Sequence, residues 1–279
     1  MQEEVFQGSG GLKLFARSWR PTTPARGLVI IVHGFKSHSG LYAWTAEQLV
    51  EKGLAVHALD LRGHGKSEGE RFYVEAFSDY TADLHAFVSM VKDREPGLPT
   101  FLLGHSAGGV VSCLYAVEHQ AELAGLICES FAFEVPAPEV ALSILKGLSH
   151  LLPHAHVLDL KDEDFSRDPA FVAAMKADPL IVHTAGASNT IAEMVRADER
   201  LKADFPKITL PLLILHGTAD KATRPHGSQQ FYEAAGSVDK EINLYEGHFH
   251  DLFNDLGKEE VLKDVADWIT ARLPAAPAS

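Results

Sequence analysis

Thr100-Phe101-Leu102-Leu103-Gly104-His105-Ser106-Ala107-Gly108-Gly109 is the stretch whose reading decides the fold. A run of apolar and β-favouring residues stops at Gly-x-Ser-x-Gly, and a helix-compatible segment follows at once. That order predicts strand, sharp turn and helix, with Ser106 lifted above the end of a sheet as a candidate nucleophile. Gly104 and Gly108 flank it because side chains there would collide inside so tight a turn, where strained backbone angles cost glycine least.

Outward from this turn, apolar strands alternate with helical patterns. Leu28 to Val32 is a continuous apolar run, the mark of a strand covered on both faces, and it ends at His33-Gly34-Phe35. Tyr42 to Lys52 has helical spacing, Leu54 to Leu61 reads as a strand, and Val74 to Arg94 as a helix. Leu123 to Cys128 is a further strand after the Ser106 helix. Such alternation predicts a parallel sheet with right-handed crossovers. At the N-terminus, Glu3 to Phe6 and Lys13 to Trp19 predict an antiparallel edge hairpin around Gly8-Ser9-Gly10-Gly11.

The alternation breaks from about Phe131 to Lys207. Helical patterns continue there without a convincing strand, and Pro136, Pro138, Pro153 and Pro169 punctuate them. Ala141, Ile144, Leu145, Leu148, Leu151 and Leu152 share one helical face. Such an insertion between two sheet strands is expected to form a cap over their C-terminal edge. The sheet resumes at Leu210 to Leu215 and again at Glu241 to Tyr245. Helices are expected over Gly227 to Ala235 and Glu259 to Arg272, with a frayed tail after Leu273. The expected division is a core of 1–130 and 208–274 with an inserted cap of 131–207.

Composition bounds the function. At 279 residues and 46% hydrophobic, the chain fits one large domain with a sizeable core. Its formal charge of -13 disfavours nucleic acid and anionic membranes as partners. Apolar runs are too short to cross a bilayer, so no stable membrane insertion is expected. The opening Met1-Gln2-Glu3-Glu4 lacks the pattern of a signal peptide, and a cytoplasmic location is the expectation. Cys113 and Cys128 form no CxxC pair, so neither a disulfide framework nor a zinc site is expected. His154-x-His156 and His248-x-His250 lack a third ligand at useful spacing, so no metal is expected. Gly65-Lys66-Ser67 lacks the first glycine of a phosphate loop, because Asp60 stands there.

A serine hydroxyl needs a nearby base, and the base an orienting acid. Asp220 follows the Leu210 to Leu215 strand in His216-Gly217-Thr218-Ala219-Asp220, whereas Asp239, Asp251 and Asp255 end no apolar strand. The base comes from His248 or His250, after the last strand. The order serine, acid, histidine suits loops that converge at one rim of a parallel sheet. Two backbone N–H donors must face the developing oxyanion; Ala107 and Phe35 are placed to supply them.

These residues together resemble the monoglyceride-lipase-type α/β hydrolases, within the group that also holds lysophospholipases and S33-type peptidases. The likeness covers nearly the whole chain. It rests on His33-Gly34 with His38-Ser39-Gly40-Leu41-Tyr42, on Asp60-Leu61-Arg62-Gly63-His64-Gly65-Lys66-Ser67-Glu68-Gly69, and on the Ser106 turn. His216 to Asp220 and Tyr245-Glu246-Gly247-His248-Phe249-His250 complete it. The resemblance implies an α/β-hydrolase fold, with a mostly parallel eight-stranded sheet and a helical cap after the sixth strand. It places the base on His250, after Phe249, beside Ser106 and Asp220, with oxyanion donors at Phe35 and Ala107. It implies hydrolysis of a small-molecule ester carrying an acyl chain, most of all a monoacylglycerol, through an acyl-serine and without a cofactor. A general carboxylesterase or lysophospholipase is the alternative, and a non-catalytic ligand binder the remaining one. The chain departs from the family in Phe35-Lys36-Ser37-His38, where small residues are usual.

Overall fold

The computed structural model describes residues 1–133 and 139–274, with side chains over 1–133 and 145–274. Pro136, Pro138, the side chains of Ala141 and Ile144, and the tail after Pro274 lie outside the described residues. In chain order the elements are β1 (Gln2–Gln7), β2 (Lys13–Trp19), β3 (Gly27–Val32), α1 (Ala43–Glu51), β4 (Leu54–Leu59), α2 (Ser78–Arg94), β5 (Thr100–His105) and α3 (Ala107–His119). There follow β6 (Gly125–Glu129), α4 (Glu139–Leu151), β7 (His156–Leu158), α5 (Pro169–Ala177), β8 (Gly186–Ala187) and α6 (Ser188–Asp204). The chain closes with β9 (Leu212–Gly217), α7 (Pro225–Ala234), β10 (Lys240–Tyr245) and α8 (Lys258–Thr270).

Eight strands form one sheet in the order β1-β2-β4-β3-β5-β6-β9-β10. β2 runs antiparallel to both β1 and β4, and the other pairs are parallel. β3, and β5 from Phe101 to Leu103, are apolar because each face meets a different core. Ile30 and Leu102 point to the side packed by α2 and α3, while Val29, Ile31, Phe101 and Leu103 point to the side packed by α1 and α8. This alternation is the two-residue period of a strand, carried by apolar residues on both faces. Strand order reverses between β3 and β5, which opens a crevice beyond their carboxyl ends.

The sheet matches the sequence reading, with ends moved by a few residues. α2 begins at Ser78, not near Val74, because Val74 and Phe77 give their N–H groups to Thr190 and Glu193 of α6. Between β6 and β9 the segment is mainly helical, as its pattern predicts. It also holds one short antiparallel pair, β7 with β8, which is too brief to leave a periodic signal. On α4, Leu145 packs against the core, but Leu151 and Leu152 at its C-terminal end are 81% and 57% exposed. The shared apolar face is therefore buried over only part of its described length.

Candidate active site

Ser106 sits between β5 and α3 with φ 54° and ψ -122°, so the strained backbone belongs to the serine itself. Gly104 and Gly108 make this possible by taking no space. A Cβ on Gly108 would lie 2.2 Å from the Val32 carbonyl oxygen, and one on Gly104 2.6 Å from that of Gly108. The turn is further held by Ser106 N–H donating to the Glu129 carbonyl at 2.9 Å.

Loops after β9 and β10 bring the other two residues to it. His250 Nε2 lies 2.9 Å from Ser106 Oγ, and Nδ1 lies 2.7 Å from Asp220 Oδ2. Asp220 has three further partners on its own loop. Its Oδ1 accepts the N–H groups of Ala222 and Thr223 at 2.8 and 3.0 Å, and its Oδ2 accepts Thr223 Oγ1–H at 2.8 Å. His216 Nε2 stands 3.0 Å from the same Oδ2, with its Nδ1 2.7 Å from Ser228 Oγ. Burial alone would raise the Asp220 carboxyl, but His250 and His216 hold it far below the usual carboxylate range. The group is thus a buried carboxylate with its lone pairs satisfied, suited to hold an imidazole in one tautomer.

His248 takes no part in this chain of bonds. It lies against Tyr245, and its Nδ1 is 3.3 Å from the Glu246 carbonyl. Phe35 and Ala107 line a cavity of about 230 Å³ together with Ser106 and His250. A Cβ on Gly34 would meet Ser106 Cβ at 2.7 Å, so the loop after β3 presses directly on the serine. Lys36 takes a left-handed φ of 52°. Its buried ammonium pairs with Asp162 at 2.5 Å and donates to the Leu160 carbonyl, tying this loop to the segment after β7.

Phe165 of that segment meets the His250 ring edge-on, with ring centres 5.2 Å apart. Leu158, Leu160 and Met194 supply apolar wall to the cavity, and Asp159, Lys161 and Lys221 supply charge. Sequence reasoning missed Phe165, Thr223 and the pairing of His216 with Asp220. Thr223 had a local signal, since an aspartate commonly accepts N–H groups two and three residues on. The other histidine pairs serve elsewhere: His154 bonds Glu70, and His156 bonds the Ala185 carbonyl. The Arg62 to Ser67 loop is a brace, with Asp60 accepting the N–H groups of Ser39 and Lys66 at 2.7 and 2.8 Å.

A mostly parallel eight-stranded sheet with helices on both faces, and a serine turn at the carboxyl end of its central strand, defines an α/β hydrolase. Comparison with known proteins narrows the class. The chain belongs to the serine aminopeptidase S33 family, whose model matches residues 23–257. It is 32% identical to a monoacylglycerol lipase of Mycolicibacterium smegmatis over 97% of this chain and 98% of that protein. It is 33% identical to the human monoglyceride lipase, over 95% and 89% of the two chains. A solved structure of the Paleococcus ferrophilus monoacylglycerol lipase superposes with a TM-score of 0.84 at 29% identity, covering 93% and 99%. Among the described residues, no helix is long and apolar enough to cross a membrane.

Proposed function

We propose that this chain is a serine ester hydrolase that cleaves monoacylglycerols through an acyl-Ser106 intermediate. The observation that carries the reading is the unbroken line from Ser106 Oγ through His250 to Asp220, at 2.9 and 2.7 Å. In the first step Ser106 Oγ attacks the ester carbonyl carbon while His250 Nε2 takes its proton. The tetrahedral oxyanion then collapses, the C–O bond to glycerol breaks, and His250 returns the proton to the leaving alkoxide. Water repeats the sequence on the acyl-enzyme and releases the fatty acid. Asp220 stabilises the imidazolium in both halves, and the N–H groups of Phe35 and Ala107 receive the oxyanion.

Residues 131–207 act in this reading as a cap whose apolar wall receives the acyl chain. The names and lengths of the relatives support a monoacylglycerol as substrate. One observation favours a broader short-chain esterase as the second reading: about 230 Å³ is below the 300–1,000 Å³ (about) usual for small-molecule pockets. A panel of glycerol monoesters and simple alkyl esters of increasing chain length separates the two.

The mechanism is tested with Ser106→Ala. Fatty-acid release is expected to fall by about 10⁴-fold or more, with fluorophosphonate labelling abolished. Release at the wild-type rate by the folded variant overturns it.

A further inference from the structure

Beside the His250 ring lies a second cluster of ionisable groups that acyl transfer does not use. His105, Glu129 and Asp251 are buried, and one polar side-chain atom from each lies within 4.8 Å of the other two. The His105 ring centre is 5.0 Å from that of His250. Tyr42 OH closes the far side, 2.7 Å from His105 Nδ1. Asn254 Nδ2 donates to both Asp251 oxygens at 3.1 Å.

Glu129 occupies the joint of the site. As the last residue of β6 it stands opposite His105 in the parallel register. Its carbonyl oxygen accepts the Ser106 N–H at 2.9 Å, which fixes the nucleophile's turn. Its side-chain Oε1 accepts the Leu252 N–H at 2.7 Å, two residues beyond His250. A single residue therefore ties the serine turn to the histidine loop. The other oxygen, Oε2, and His105 Nε2 lie 3.6 Å apart, both fully buried and, among the described residues, both without a hydrogen-bond partner. An ionised carboxylate there would face Asp251 with no cation and one N–H donor, a costly arrangement at full burial.

We infer that Glu129 is a positioning residue that holds the Ser106 turn and the His250 loop in register, and that it does so as a neutral carboxylic acid beside Asp251. Its role rests on the acyl-serine reading given above. The Leu252 N–H favours the charged form, but the other surroundings outweigh it. Burial and the nearby Asp251 and Asp220 push the Glu129 carboxyl well up, and burial carries Asp251 to about 6. Burial and His250 push His105 well down, so its imidazole is neutral and offers no counter-charge. Tyr42 is likewise kept protonated by burial and by Asp251. The cluster then carries at most one negative charge at neutral pH, on Asp251.

Two variants test this in the full chain, with a p-nitrophenyl ester as substrate and fluorophosphonate titration to count working sites. Glu129→Ala is expected to lower kcat per titrated site by about tenfold or more with KM little changed, because the histidine loop loses its tether. Glu129→Gln keeps an oxygen for Leu252 N–H and places an amide donor where the acid proton sits, so it is expected to restore kcat to within about threefold. A merely structural residue would change the number of titrated sites and not the rate at each.

The neutral state has its own readout in melting temperature against pH. A carboxyl raised in the fold contributes fully below the ordinary glutamate range and loses that contribution as pH rises. The melting temperature of Glu129→Gln is therefore expected to gain on the wild type steadily from about pH 4 upward. This second measurement decides alone if the alanine variant does not fold. The inference is overturned by wild-type kcat per site in Glu129→Ala, by Glu129→Gln as slow as the alanine variant, or by a melting gap that is flat with pH. One equivalent of tightly held Zn²⁺ or Mn²⁺ in the wild type, lost in Glu129→Gln, overturns it in favour of a metal centre. Absence of fluorophosphonate labelling in folded wild type overturns the acyl-serine reading instead, and leaves the melting comparison to judge the neutral acid.

Discussion

His250 neighbours two buried carboxyl sites that are built in opposite ways. On one side Asp220 meets five partners: two N–H groups, the Thr223 hydroxyl and the imidazoles of His216 and His250. On the other, among the described residues, the Glu129 side chain accepts the Leu252 N–H and Asp251 the Asn254 amide. Depth is nearly the same on both sides, so burial does not tell them apart. The supply of donors does. A carboxylate surrounded by N–H and imidazole groups stays charged, while one facing another acid and a neutral ring keeps its proton.

The contrast can be broken most severely at Asp220. Asp220→Asn should lower kcat by about 10⁴-fold, since the amide stabilises neither the tautomer nor the imidazolium. Active-site labelling at matched protein concentration measures the loss, and a tenfold effect or less would mean that the ionised side is not the orienting acid. Removing one donor is gentler. Thr223→Val should cost about 1.5–3 kcal/mol of transition-state stabilisation, read as roughly a 10- to 100-fold drop in kcat with KM steady.

The two sides also predict opposite responses of stability to pH. Asp220 is lowered in the fold, so its contribution is complete above the ordinary aspartate range and decays as pH falls below it. Asp251 is raised to about 6, so its burden on the fold grows as pH climbs from the ordinary aspartate value towards 6. Chemical denaturation from pH 4 to 7 should therefore show Asp251→Asn gaining about 1–3 kcal/mol on the wild type. Below pH 4, Asp220→Asn should lose less stability than the wild type. The smallest effect is expected at His248, which touches neither acid: His248→Ala should keep kcat within about threefold. A collapse of activity there would move the base by two residues.

Much of the candidate site could be read from the chain, because Ser106 and Asp220 each follow a strand whose apolar run announces its own end, and His250 follows the mixed strand Glu241 to Tyr245. The resemblance to a known family was still needed to choose His250 over His248, since both lie in the same loop. What escaped was whatever depends on meeting across the fold. Glu129 reads as the polar end of an apolar strand, and only the register of β6 against β5 places it under His105. Phe165 lies in a segment whose helical pattern carries no information about which way it turns. β7 and β8 are too short for periodicity, and the exposure of Leu151 and Leu152 contradicts an apolar face that the spacing alone would bury throughout. The departure at Lys36 was visible but not its purpose, since Asp162 and Leu160 lie more than a hundred residues away.

The sheet leaves β6 at Glu129 and takes the chain back at Leu212, yet these strands are direct neighbours paired from Leu126 with Leu212. Closing a long connection between fixed ends loses entropy only as the logarithm of its length, so doubling it costs about 0.6 kcal/mol. That closure cost is almost indifferent to how much chain lies between those two residues. Segments of quite different length and shape can therefore be exchanged at this junction while the serine, aspartate and histidine keep their spacing, which lets substrate range change without the reaction having to be rebuilt.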